Sequence, residues 1–425
     1  MIEQFVDKKN QKRNILSLSM IYFILSLATM SDILRIPGTP ITFFRLCIPI
    51  AVLIIAMYPT WAKKFIFISV SFVLINFFLN VVFYKVYRPD LMFQFSRFLM
   101  YCVLYISIFI ILILVCIVKE ISGKYFEKDF VNWISIMGGM LLIILIMYNR
   151  FPDFFGDLPI DNPNNYGCYI AAVFPFYLVR AQKSRGHIKY LNLCICIVCL
   201  YALYTNDSKV SLLGVIIQMI VLFCITSTYT VKTFFMKRFM IPIGAILSGF
   251  LLIVLLNPSI NGYPLKEITL EPINRIITGN PYPTYTASIS FRTNTTIFAL
   301  NNLWELKGLG LGAGNIGILL KSEFPNLNPA YVGALNASAL SLHNSWLEFM
   351  NDLGIIGIVI LIYPVCYAIK IYFSKCVLGY IEKVMLLFIL SCPVWLIGPS
   401  GVYTQYFLFA IIMFLIISRK ESKSL

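Results

Sequence analysis

Apolar residues fill this chain in long runs separated by short polar segments, and a helix needs about 20 mostly apolar residues to cross a bilayer. Such runs predict about twelve spans, near 14–30, 40–58, 65–84, 98–118, 130–148, 165–181, 190–205, 209–228, 239–256, 345–369, 378–397 and 401–418. The N-terminal charged stretch and first apolar run resemble a signal peptide. No small-residue cleavage site follows Ala28-Thr29-Met30, so an uncleaved first span is the expectation. No internal repeat, low-complexity segment or lipidation motif interrupts the pattern.

One segment breaks the rhythm. Residues 257–344, about 88 in all, form the single long connection. It opens with turn chemistry at Asn257-Pro258 and Asn261-Gly262-Tyr263-Pro264, and continues through Gly279-Asn280-Pro281-Tyr282-Pro283. Over 288–306 the apolar residues Ile289, Phe291, Ile297, Phe298, Leu300, Leu303 and Trp304 partly follow helical spacing. This predicts an amphipathic helix lying on or in the membrane face. The expected fold is therefore all-α and polytopic. Residues 1–256 carry nine transmembrane helices, 257–344 form a large extracytoplasmic (periplasmic) loop, and 345–425 carry three more helices and a basic cytoplasmic tail.

Composition agrees: of 425 residues, 59% are hydrophobic and only 12% charged, which excludes a water-soluble enzyme. The formal net charge is +15, yet the cations come singly or in small clusters between apolar runs, a pattern unlike a nucleic-acid-binding surface. Placing both termini in the cytoplasm puts Lys8, Lys9, Lys12, Arg13, Lys63, Lys64, Lys119, Arg180, Lys183, Lys370 and Arg419 on the inner side. The whole surplus then falls there and the outer side is neutral, as the positive-inside rule expects.

Several residues could carry chemistry. Cys194, Cys196 and Cys199 have metal-like spacing, but they lie in an apolar span without a nearby His and read as ordinary small apolar residues. Gly308-Leu309-Gly310-Leu311-Gly312-Ala313-Gly314-Asn315 is either a flexible turn or a backbone that admits a phosphate or sugar. A helix precedes it, so it is not a dinucleotide fingerprint. His187 sits in an inner basic loop, whereas His343 stands at the outer mouth of span ten, as a cap or interfacial residue or as a general base. Arg292 falls in the apolar half of the loop helix, where a guanidinium either snorkels to headgroups or holds phosphate bidentately. Lys209 opens span eight at the outer face, suited to a lipid-linked phosphate or to interfacial anchoring.

At these positions the chain resembles a known family. His343-Asn344, followed by Leu347, Asp352, Gly354 and Gly357, resembles the signature of the O-antigen ligase and polymerase superfamily. Ser290-Phe291-Arg292, Trp304 and the glycine-rich turn are similar to that family's Arg-bearing loop helix. Asp161-Asn162-Pro163-Asn164-Asn165 and Ser208-Lys209-Val210-Ser211 are similar to two further blocks, although Lys209 stands where the family commonly has Arg. The resemblance implies a metal-independent, cofactor-free inverting glycosyltransferase in a bacterial inner (plasma) membrane, acting on undecaprenyl-diphosphate-linked oligosaccharide. It implies His343 as general base and Arg292 with Lys209 on the diphosphate, with Arg275, Arg150, Asn165 and Asn344 lining the site. A chain-length regulator and a flippase of the same pathway are the implied partners beside the lipid bilayer.

Within the family the reading favours a polymerase that joins repeat units into O-antigen or capsule. The alternative is a ligase that moves finished glycan onto lipid A core or another acceptor. A flippase or other transporter is disfavoured, because the mid-span regions are nearly free of charge and the two halves do not match. A purely structural subunit would leave His343→Ala without effect.

Overall fold

The computed structural model describes residues 17–28, 42–150, 163–205, 209–225, 259–260, 263–282, 288–327, 342, 344–373 and 378–395, with isolated residues between 236 and 248. The predicted span at 401–418 and most of that at 239–256 lie outside the described residues. The described elements are helical apart from a two-residue antiparallel strand pair, β1 (Ser259–Ile260) and β2 (Tyr263–Pro264), flanking the Asn261-Gly262 step where the sequence predicts a turn. In chain order the helices are α1 (Ser17–Ala28), α2 (Phe43–Leu46), α3 (Ile48–Ala56), α4 (Pro59–Val82) with a π-helical turn Phe83–Tyr87, α5 (Phe95–Ser122) and α6 (Phe126–Arg150). Then follow α7 (Pro163–Lys183), α8 (Gly186–Thr205), α9 (Lys209–Ile225), α10 (Leu265–Thr278), α11 (Ser288–Glu305), α12 (Asn315–Leu327), α13 (Ser345–Leu353), α14 (Ile355–Tyr372) and α15 (Tyr380–Trp395).

Five helical stretches, Pro59–Tyr87, Phe95–Ser122, Phe126–Met147, Gly186–Thr205 and Ile355–Tyr372, are long and apolar enough to cross a membrane. The architecture is that of an all-helical, membrane-embedded protein. α7, α8, α9 and α15 pack as one group, and α3, α4 and α5 as another, with α6 against α7. Lipid tails are as apolar as the helices, so packing and interhelical hydrogen bonds hold such a bundle. Phe72 of α4 stacks on Tyr105 of α5 at 4.5 Å. Gln218 of α9, fully buried, donates to the Ala171 carbonyl of α7 (2.9 Å) and to Ser391 Oγ of α15 (2.8 Å). At about 0.6 kcal/mol each, such bonds fix orientation more than they supply stability.

Two clusters of contacts gather the ends of these helices, one at the start of α4 and one at its end. At one end the Trp61 indole donates to Glu120 Oε2 (2.5 Å), Glu127 Oε1 accepts from the Tyr380 and Ile381 amides at the start of α15, and Lys183 lies over the Tyr380 ring. At the other, Phe83, Tyr84, Ala299, Leu306, Leu311, Ile316, Leu320, Leu342 and Leu347 form a second apolar cluster, separate from the main core. It gathers the end of α4, α11, α12 and the start of α13 into one cap.

Three expectations need correction here. The span predicted as continuous over 345–369 is two helices, because Gly354 (φ 59°) ends α13 and α14 begins at Ile355. The loop helix forms where expected, Ser288–Glu305 against 288–306, but not with its whole apolar face turned to the membrane. Ile297 and Ala299 are buried and Phe291 and Phe298 pack on the second cluster. Ser290, Thr293, Asn294 and Thr295 are buried as well, because the chain supplies them with partners. Helices α10 and α12 were not expected from the sequence; α10 contains Pro272, and its apolar residues are sparse.

The glycine-rich turn after α11 is docked, not flexible. Its backbone lies along the α13–α14 junction: Ile355 N–H donates to Gly308 O (2.8 Å), Leu311 N–H to Asn351 O (2.8 Å) and Gly312 N–H to Asp352 O (3.0 Å). A Cβ on Gly354 would stand 2.2 Å from Gly308 O and 2.4 Å from Gly310 N, so only hydrogen fits between the two backbones. Gly186 provides a control, with the same φ of 59° and nothing within 4 Å of its Cβ position. Thermal melts of detergent-purified protein should show Gly186→Ala costing about 1 kcal/mol, the ordinary left-handed penalty, and Gly354→Ala costing roughly 3 kcal/mol or more. Equal losses in the two variants would mean that the close approach does not matter.

Candidate functional site

α11 brings the sequence-predicted residues of the loop into relation with the start of α13. Arg292 lies in the first half of α11, half-buried, and no carboxylate of the described residues pairs with it. Burial pushes its pKa below the ordinary value; the cation has lost water without a compensating anion. One turn on, the fully buried Thr295 hydroxyl lies 3.1 Å from the Arg292 carbonyl and 3.2 Å from the Leu342 carbonyl, both acceptors. The turn of helix that carries Arg292 is thereby tied to the residue just before the His343-Asn344 pair.

His343 itself lies outside the described residues. Asn344 is a helix cap: its Oδ1 accepts from Trp346 N–H (3.1 Å) and Leu347 N–H (3.2 Å), which satisfies amides that the first turn of α13 would otherwise leave open. Glu348 Oε1 reaches back to Leu342 N–H (3.0 Å), closing the same cap. The Asn344 side-chain oxygen is thus engaged in the cap.

Arg275 is engaged locally too. It pairs with Glu271 at 3.0 Å, donates to the Pro281 carbonyl and lies 4.0 Å over the Tyr282 ring. Tyr282 is clamped in turn by Asn294, whose Oδ1 accepts from Tyr282 N–H (2.7 Å) and whose Nδ2 donates to the Tyr282 carbonyl (2.9 Å). Arg275 thus reaches α11 through Tyr282, with its charge already matched. Arg150 ends α6, Asn165 lies in the first turn of α7 and Lys209 opens α9; their side chains lie outside the described ones.

A buried polar network, of which the sequence reading singled out only Asp352 and the glycine-rich turn, underlies this cap. Asp352 is 2% exposed; its Oδ1 accepts from Gly314 N–H (2.8 Å) and its Oδ2 from the Tyr105 hydroxyl (3.0 Å). The Gly314 carbonyl accepts from Arg97 Nη2 (2.9 Å), so one glycine is gripped by an acid at its amide and a base at its carbonyl. Asn76 and Asn80, one turn apart on α4, complete the cradle. Asn76 Oδ1 accepts from Ala313 N–H (2.7 Å), Asn80 Oδ1 accepts from Asn315 Nδ2 (2.8 Å), and Tyr84 donates to Asn315 Oδ1 (3.3 Å). The signal in the sequence was the pair of Asn residues four apart in an apolar run, since buried polar groups in a span are retained only with partners.

This network bears on both readings of the glycine-rich turn, which is docked and has its amides engaged. The amides of Leu311, Gly312, Ala313, Gly314 and Asn315 all donate within the protein, so the backbone has no row of free N–H groups with which to cradle a phosphate. The glycines serve close packing: a Cβ on Gly314 would stand 2.1 Å from the Tyr101 ring. Arg292, by contrast, is a half-buried guanidinium with no carboxylate partner among the described residues. Cys196 and Cys199 are buried in α8 while Cys194 is exposed, so the three thiols do not face one point. The chain matches no protein-family model and no curated protein sequence.

Asp352→Asn keeps an acceptor for the Gly314 amide, whereas Asp352→Leu orphans both that amide and the Tyr105 hydroxyl. Melting temperatures should fall for the Leu variant by the equivalent of about 1–3 kcal/mol per stranded donor, and clearly less for Asn. A Leu variant as stable as wild type would remove Asp352 from the role of clasp.

Proposed function

We propose that this chain is a membrane glycosyltransferase that polymerises undecaprenyl-diphosphate-linked oligosaccharide units into a surface polysaccharide, O-antigen or capsule, at the outer face of a bacterial inner membrane. The observation that carries the reading is Arg292: half-buried, unpaired among the described residues, and tied through Thr295 to Leu342 beside His343. A desolvated guanidinium next to the sequence block that holds one of only two histidines suits a reaction whose donor ends in a diphosphate. The resemblance of the His343-Asn344 block and of Ser290-Phe291-Arg292 to the O-antigen ligase and polymerase superfamily points the same way. So does the charge asymmetry, which fits about twelve spans with both termini cytoplasmic.

In the proposed reaction His343 takes the proton from an acceptor sugar hydroxyl as that oxygen attacks the anomeric carbon of the donor. The bond from that carbon to the lipid diphosphate breaks with its electron pair leaving on phosphate oxygen, and the configuration inverts. Arg292 and Lys209 hold the diphosphate as its negative charge grows. The partners are then the lipid-linked oligosaccharide, the bilayer, and the flippase and chain-length regulator of the same pathway.

His343→Ala and Arg292→Ala should each reduce chain extension by roughly 100-fold or more at unchanged membrane abundance, the scale of losing a general base or a charge-stabilising donor. Arg292→Lys should also be poor, because a point charge replaces a fork, while Lys209→Arg should be tolerated. The readout is the length distribution of glycan from purified protein and lipid-linked repeat units. Normal polymer from either alanine variant removes that residue from the mechanism. A deletion strain that makes single-repeat surface glycan indicates a polymerase; one that accumulates long lipid-linked chains indicates a ligase instead.

A further inference from the structure

α11 is two helices in one as regards its surroundings. Its first half buries polar side chains, Ser290, Thr293, Asn294 and Thr295, whereas its last turns leave apolar ones uncovered: Leu300 is exposed and Trp304 is 87% exposed. On helical spacing Thr293, Ile297, Leu300 and Trp304 form one stripe, so a single face passes from under the cap into the open.

The uncovered end does not stand alone. The turn that follows α11 is bonded to the first residue of α14 through Ile355 N–H and Gly308 O (2.8 Å). Leu309, Ile355, Ile356 and Val359 are all exposed beside that junction. The patch runs on into Ile362 of the same helix with no polar boundary, and α14 is one of the stretches long and apolar enough to cross a membrane. Its rim is charged: Glu305 and Lys307 are exposed, with Lys307 holding φ at 51°, a conformation rarely adopted outside glycine.

An indole and a lysine where an apolar helix face begins are the residues that favour the headgroup layer of a bilayer. An apolar surface of this kind facing water would be a liability. On its α14 side the patch merges with the exposed apolar face of a helix long enough to cross a membrane, the continuity expected of a surface that meets lipid.

We propose that the last turn of α11 and the start of the glycine-rich turn are seated in the interfacial layer of the bilayer. Trp304 and Leu309 then lie against lipid in the same leaflet as the first turn of α14. At 1.5 Å per residue, Trp304 is about 18 Å along α11 from Arg292, so lipid holds one end of the helix whose other half carries the guanidinium. This seat depends on the membrane-embedded fold and not on the proposed reaction, so the failure of either leaves the other standing.

The test uses the full chain in lipid nanodiscs and compares wild type with Trp304→Phe, a conservative change at an exposed position. The chain has five tryptophans, and the difference between the two emission spectra isolates Trp304. Phosphatidylcholine brominated near the carbonyl end of its acyl chains is the lipid probe, and acrylamide is the aqueous one. The expected result is a Trp304 component that loses most of its intensity in brominated nanodiscs and is little quenched by acrylamide. A component quenched by acrylamide and indifferent to bromine overturns the proposal in favour of water. Protection from both probes overturns it in favour of a covering protein, a second copy of the chain included.

Discussion

The hold of Asp352 and Arg97 on Gly314 is the interaction on which the cap formed by α4, α11, α12 and α13 depends. A carboxyl group buried from water requires hydrogen-bond partners, and this one has the Gly314 amide and the Tyr105 hydroxyl. The carbonyl of the same glycine accepts from Arg97, so α5, α13 and the glycine-rich turn are locked at one residue. Asn76 and Asn80 bind the neighbouring residues of the turn from α4. No interface among these elements could slide without stranding a buried donor, which is more expensive than any one of the bonds is favourable.

That lock explains why α11 can carry a half-buried cation. The turn after α11 is fixed against the α13–α14 junction by backbone pairing, and the helix is fixed nearer its start by Asn294 on Tyr282 and Thr295 on Leu342. A helix held at both ends can keep a guanidinium desolvated without collapsing around it. The apolar cluster of Phe83, Leu306, Leu311, Ile316 and Leu342 fills the space beneath. In water such packing would be the main term, but beside lipid the polar contacts and close backbone approaches carry more of the specificity.

The glycines illustrate how sequence and structure divide the explanation. The run from Gly308 to Gly314 is conspicuous in the sequence, and its composition fits equally well with a ligand-cradling loop. The cradle needs free amides, and the structure has spent them on Asn76, Asn351 and Asp352. What remains is steric: Gly354 lies against Gly308 and Gly310 because a side chain on it would occupy the space of their backbone atoms. Likewise Asn344, conspicuous beside His343, caps α13. The residues that stand out by type were legible, but the partners of the turn and of Asp352, 38 to 247 positions away, were not.

By itself the sequence determined what depends on local composition: apolar runs of spanning length, basic segments on alternating connections, and a helix over 288–306, formed as Ser288–Glu305. Those features follow from transfer free energy and helical periodicity, which act over a few turns. Only the tertiary structure decided that the expected span at 345–369 is broken at Gly354. It also turned the polar side of α11 inward and joined Asn76, Asn80, Arg97, Tyr105 and Asp352 around one turn. The reason is that a buried polar group takes its partner from whatever segment the fold brings alongside, and no periodicity along the chain encodes which segment that is.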